Sequence, residues 1–179
     1  LEGRIVTFRR ILMPMHGDQE RMKSWLSKIK IDALVCSGSR RNVSIWEEWM
    51  GPAGTLMRSS AQSGIPTLGI CFGHQLLCHT LGSTIERADS LSSGIWKIDL
   101  TEKGDSDELL TSHRCNNIAI SGLFTHQDHV ITVPKNCTLL STTSHNKVTA
   151  VRVNDSSGNA LPAWGIQFHP EAAKARIER

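Results

Sequence analysis

The sequence predicts an α/β fold: a three-layer, open, mostly parallel sheet with helices on both faces and a smaller, strand-rich antiparallel extension. Three observations carry this expectation. From Arg4 to Leu81, strand-like and helix-like segments alternate. Within that run the glycine-flanked cysteine of Gly69-Ile70-Cys71-Phe72-Gly73 joins an apolar strand-like stretch to a helix-like one. Beyond Gly82 the helical patterns give way to short strand-like pieces, as in antiparallel additions to such a sheet.

The elements follow in order. Arg4–Phe8 reads as a short strand. Asp18 to Ile29 places Met22, Trp25, Leu26 and Ile29 on one side of an amphipathic helix. Asp32–Cys36 is a buried-type strand ended by Ser37-Gly38-Ser39, and Trp46 to Ser63 reads as helix, broken or restarted at Gly51-Pro52. Gly64 and Pro66 punctuate the entry to the strand before Cys71, and Gln75–Leu81 continues as helix. Short strands are expected at Ser83–Arg87, Gly94–Leu100, Asn117–Ile120, Thr138–Ser141, Val148–Val153 and Ala163–Phe168. The run Asn154–Asn159 between the last two is a hairpin tip, and Ala172–Arg179 is a closing helix. With 179 residues and no linker or repeat, the whole chain, 1–179, is expected to be one domain.

Composition excludes several classes. The net charge of +3 is spread over short basic pairs such as Arg9-Arg10 and Arg40-Arg41, not a stripe, so a nucleic-acid partner is not expected. No apolar run is long enough for a membrane span, so no membrane partner is expected either. The five cysteines lack the spacing of a disulfide framework or a zinc ribbon, which fits a reducing, cytoplasmic compartment. His126 and His129 form a His-x-x-His pair with no third ligand near in sequence, so neither a metal nor another cofactor is expected.

The chemistry lies in two places. A strand, a nucleophile between glycines and a helix make a nucleophile elbow, here with a thiol. The helix aims its first amides at Cys71, which favours thiolate, and the amide of Phe72, next to the nucleophile, is an oxyanion donor. Near the other end, the apolar strand Trp164–Phe168 delivers His169, with Glu171 two residues on. A nucleophile, a base and a carboxylate that orients the base complete a triad of Cys71, His169 and Glu171.

Gly69-Ile70-Cys71-Phe72-Gly73-His74-Gln75, with Gly165-Ile166-Gln167-Phe168-His169-Pro170-Glu171, resembles a class I, triad-type glutamine amidotransferase. Leu100–Asp107, and Thr125-His126-Gln127-Asp128-His129-Val130 followed by Val133-Pro134, are similar to the branch related to the amidotransferase domain of GMP synthetase. The likeness runs in order from about Ile31 to Glu171. It implies release of ammonia from the side-chain amide of glutamine through a cysteinyl thioester, with the ammonia passing to a separate synthetase chain. It implies that Gln75 contacts the substrate, and that a loop containing His126, Gln127 and Asp128 holds the substrate's amino-acid end, partly through backbone groups. Cys36-Ser37-Gly38-Ser39-Arg40 sits where the family has a Ser-Gly-Gly-Pro loop, so Gly38 and Ser39 are the expected site of the second oxyanion donor. Ser39-Arg40 departs from that pattern: Ser39 disfavours positive φ, and the loss of proline loosens the turn. The family also has a first strand and helix ahead of the region that Arg4–Phe8 resembles. The chain is therefore expected either to lack that strand and helix, on the order of 15–25 residues, or to build its first element differently.

Two other readings stand beside this one. A stand-alone enzyme on the same scaffold would cleave the γ-glutamyl bond of a small peptide or conjugate, and the segment Leu100–Asp107 leans that way. A non-catalytic regulatory subunit would keep the fold alone. Ser39-Arg40 and the early position of Cys71 favour it, and the intact Cys71, His169 and Glu171 argue against it.

Overall fold

The computed structural model describes residues 7–111 and 120–172. Its first helix, α1 (Gln19–Ile29), starts where the Asp18 carboxylate accepts the Arg21 amide at 2.7 Å, and it ends at Lys30 in the left-handed region. Met22 and Leu26 are buried against Leu56 of α2 (Met50–Gln62). The expected helix over Trp46–Ser63 thus starts four residues late. Gly51 and Pro52 lie in its first turn, where a missing amide hydrogen costs no helical bond, so proline marks the start instead of a break.

A six-stranded sheet forms the centre, in the order β1 (Leu34–Cys36), β2 (Thr67–Ile70), β8 (Ala160–Ile166), β7 (Ala150–Asn154), β6 (Cys137–Thr142), β4 (Asp99–Leu100). The β1–β2 and β2–β8 pairs are parallel, and the other three are antiparallel, so β1, β2, β8 and β6 point one way and β7 and β4 the other. Strand alternation assigns the two faces. Gly69 and Gly165 face α3 (Phe72–Thr80), which lies so close that a Cβ on Gly165 would stand 2.6 Å from His74 Nδ1. Trp164, Ile166 and Ile70 turn to the opposite face, into a cluster with Phe124, Leu140, Phe168 and Leu110. Leu110 comes from the short α5 (Glu108–Thr111), which follows the one-turn α4 (Glu102–Asp105). Asp107, between them, binds the sheet: its carboxylate accepts Arg152 Nη1 and Trp164 Nε1, each at 3.1 Å.

The antiparallel extension is larger than expected. β3 (Ile85–Lys97) and β5 (Ser121–Val130) form a two-stranded ribbon with a register shift between Arg87 and Ser92. Two short strands at Ser83–Arg87 and Gly94–Leu100 were expected. Instead one strand runs through the polar stretch, paired with β5 at Arg87 and again from Ser92, with Gln127 Nε2 donating to Ala88 O between them. Thr125–Asp128, expected in a loop, likewise lies within β5. The hairpin tip between β7 and β8 is as expected: Asp155 accepts the amides of Ser157 and Asn159. Arg4–Val6, Asn117–Ala119 and residues 173–179 lie outside the described residues; Thr7, Phe8 and Ala172 are irregular.

Candidate active site

Parallel strands end on the same edge of a sheet, and here that edge collects the chemistry. The register pairs Cys36 with Gly69 and Ile70 with Ile166. The residues just past β1, β2 and β8, namely Gly38, Cys71 and His169, therefore arrive side by side. Cys71 has φ 51° and ψ −102°, the sharp turn of an elbow, while its amide still donates to Ile166 O at 2.8 Å. Such strain persists only where packing over-determines it. Packing is tight here: a Cβ on Gly73 would stand 2.1 Å from Cys36 O.

His169 is anchored by its amide, which donates to Leu123 O at 2.8 Å. Its ring Nδ1 lies 2.7 Å from Glu171 Oε1. A carboxylate only accepts, so Nδ1 carries the hydrogen and Nε2 keeps the lone pair. Nε2 is buried without a hydrogen-bond partner among the described residues. Gly38 touches both neighbours: a Cβ there would stand 2.9 Å from His169 Cε1 and 3.7 Å from the Cys71 Cβ.

These residues line an open pocket of about 1250 Å³, as does every site residue nominated from the sequence. They do not all offer side chains to it. Gln75 is buried, and its Nε2 donates to Asp128 O at 2.9 Å and to Gln167 Oε1 at 3.1 Å. The Asp128 carboxylate accepts the Ser44 amide and the Ser44 hydroxyl, both at 2.7 Å, and so fastens the loop after Asn42 to β5. Gln127 accepts Arg87 Nη2 and donates to Ala88 O across the ribbon. His126 Nδ1 donates to Asp128 O at 2.9 Å, and burial pushes its pKa down to about 3. In the Gly38 loop, Ser39 Oγ accepts the Arg41 amide at 3.0 Å, a local turn where proline would otherwise stiffen the chain. Ser39 is not among the described residues with positive φ, so its side chain brings no strain.

The α3 N-terminus pulls the Cys71 thiol toward thiolate through the Phe72 amide, as expected, but burial outweighs it. Burial raises the thiol to about 11, and the charges of Glu171 and Asp128 act in the same direction. The Phe72 amide and the Gln167 carboxamide pull downward without prevailing. Gln167 itself was not singled out from the sequence. It is fully buried beside the thiol, and its only signal was a polar residue inside the apolar run Ile166–Phe168. His74 is fully buried too, with Nε2 3.1 Å from Val148 O, and serves packing. Among the described residues, no three His, Cys, Asp or Glu side chains are arranged to hold a metal, and no helix is long and apolar enough to cross a membrane.

The family model of glutamine amidotransferase class I matches residues 4–177, and the chain belongs to that family. It is 28% identical over 160 residues to one subunit of the glutamine-hydrolysing GMP synthase of Saccharolobus solfataricus, covering 89% of this chain and 74% of that one. It is 30% identical over 142 residues to the corresponding GMP synthase subunit of Sulfolobus acidocaldarius, covering 79% of this chain and 68% of the relative. A crystal structure ascribed to the like-named GMP synthase subunit from Thermoplasma acidophilum superposes with a TM-score of 0.67 at 23% identity, over 86% of this chain and 69% of the other, which shows the shared fold.

Proposed function

We propose that the chain hydrolyses the side-chain amide of glutamine through a cysteinyl thioester on Cys71. The observation that carries this reading is the nearness of both Cys71 and His169 to Gly38, together with the 2.7 Å His169–Glu171 bond. Because the thiol rests protonated, attack is coupled to proton transfer. As Sγ bonds to the amide carbon, the thiol proton passes to His169 Nε2, and Glu171 stabilises the imidazolium through Nδ1. The carbonyl oxygen becomes an oxyanion facing the Phe72 amide and the Gly38–Ser39 loop. His169 then protonates the amide nitrogen, the C–N bond breaks and ammonia leaves. Water, deprotonated by His169, attacks the thioester; glutamate departs and Cys71 recovers its proton.

Gln75, His126, Gln127 and Asp128 form the wall for the substrate's amino-acid end in this reading. With the Gln127 and Asp128 side chains engaged inside the fold, contact there falls to backbone groups. The relatives are named as single subunits of a glutamine-hydrolysing GMP synthase, which supports an ammonia-accepting synthetase on a separate chain.

A second reading draws on pocket size. About 1250 Å³ exceeds the roughly 300–1,000 Å³ of ordinary small-molecule sites. Exposed Leu91 and Ile95 line it, which suits a γ-glutamyl peptide or conjugate with an apolar leaving group. Glutamate release from L-glutamine and from γ-glutamyl dipeptides, with Cys71→Ser as control, tests both. Cys71-dependent release from glutamine is the expected result. Release from dipeptides alone establishes the second reading, and none from either substrate overturns both.

A further inference from the structure

Gln167 sits below the elbow in an unusual position for an amide. It is fully buried, one residue past β8, with its backbone amide bonded to Thr149 O at 2.8 Å. Its Oε1 accepts Gln75 Nε2 at 3.1 Å, and Gln75 is itself held by Asp128 O at 2.9 Å. That chain fixes which way the Gln167 carboxamide points, since Oε1 must face the Gln75 donor. Nε2 is thereby turned away from Gln75. It is buried and finds no hydrogen-bond partner of good geometry among the described residues, and the polar group it neighbours is the Cys71 thiol.

A neutral thiol is a weak acceptor, and a thiolate is a strong one. A buried donor beside sulfur, unbonded in the resting geometry, is therefore poorly satisfied at rest and well satisfied when negative charge appears. We propose that Gln167 is a charge-holding residue of the nucleophile: Gln75 locks its carboxamide so that Nε2–H donates to Cys71 Sγ as the thiolate forms. The role rests on the reading of Cys71 as nucleophile. It offsets a surrounding that otherwise disfavours a sulfur anion, since Glu171 beyond β8 and Asp128 on β5 both bring negative charge toward it. His169, from the segment after β8, brings the ring that takes the proton. Gln75 becomes a positioning residue, acting on sulfur through Gln167.

The test is the pH profile of Cys71 alkylation by iodoacetamide on the full chain, read by the mass of the peptide that carries Cys71. In Gln167→Leu the midpoint is expected to rise by about 1 pH unit, lowering the rate at neutral pH about tenfold. In Gln167→Glu it should rise further, because a carboxylate repels the thiolate. An unchanged midpoint in both variants overturns the inference and leaves Gln167 as a prop for Gln75. Should the variants fail to fold by circular dichroism, the unmodified chain still decides. The Gln167 side-chain amide resonances should titrate with the thiol and cease to do so in Cys71→Ser; resonances that ignore the thiol overturn the proposal. Alkylation needs no turnover, so a shifted midpoint in a chain without glutaminase activity would sustain this inference while removing the proposed function.

Discussion

A methyl group at position 38 would collide with His169, the proposed base. The Cβ of Gly38→Ala would stand 2.9 Å from His169 Cε1, and the ring, tethered to Glu171 at 2.7 Å, has little freedom to yield. Displacing a catalytic group by about 1 Å costs on the order of 100-fold in rate. Gly38→Ala is therefore expected to lose about two orders of magnitude in kcat with a melting temperature close to that of the parent; a full-rate variant would show that the Gly38 contact has no part in turnover. Glu171→Gln probes the tautomer instead. An amide can donate to Nδ1 and so favours the wrong ring hydrogen, and a fall in kcat of about 10³–10⁴ is expected, read from steady-state glutamate release. Cys71, His169 and Glu171 could be nominated from the sequence because a thiol, an imidazole and a carboxylate are distinctive types in a distinctive order. Gln167 was not, because only its neighbours in space reveal what its amide faces.

At the scale of elements, Asp107 is the tie between the α4–α5 segment and the sheet. Its side chain is 5% exposed and that of Arg152 15%. Arg152 also lies over the Trp164 ring at 4.3 Å and reaches Glu108 at 2.9 Å. Removing Asp107 takes the buried acceptor from Arg152 and from Trp164 Nε1 and leaves Arg152 paired with the exposed Glu108, at about 1–3 kcal/mol. Asp107→Ala should lower the urea midpoint accordingly with turnover at the edge site preserved in the folded fraction. A midpoint within error of the parent would mean that solvent replaces the carboxylate. The elements α1, β1, β2 and α3 followed from periodicity, caps and the elbow. The β3–β5 ribbon did not, because Ala88–Ser93 carries no alternation and is joined across a register shift, where the Gln127 side chain donates to Ala88 O.

For the whole molecule, four histidines make stability depend on acid. Burial lowers His74 to about 4 and His126 to about 3, and it pushes His129 and His145 below 6.5 as well. Below about pH 6.5 the unfolded chain binds protons that the folded chain keeps off these rings. The unfolded state then holds more protons, so stability falls as pH drops. His74 and His126 each contribute a slope of up to about 1.4 kcal/mol per pH unit. Urea midpoints between pH 7 and pH 5, above the range where carboxylates titrate, should decline steadily. A flat profile would mean that these rings are hydrated or charged in the folded state.

The order of residue types along the chain specified the α/β class and the elbow at Cys71, and it nominated His169 and Glu171 as the partners proposed for that thiol, since periodicity, glycine spacing and side-chain identity are local properties. Whether each nominated side chain faces the pocket or the frame followed from contacts between distant segments. Ser44 claims the Asp128 carboxylate, Arg87 and Ala88 claim Gln127, and Gln75 holds the Gln167 amide oxygen. The protonation of Cys71 at rest has the same origin: local sequence supplies the helix amides that lower its pKa, but the burial that overrides them exists only once β2, β8 and α3 have closed around the thiol.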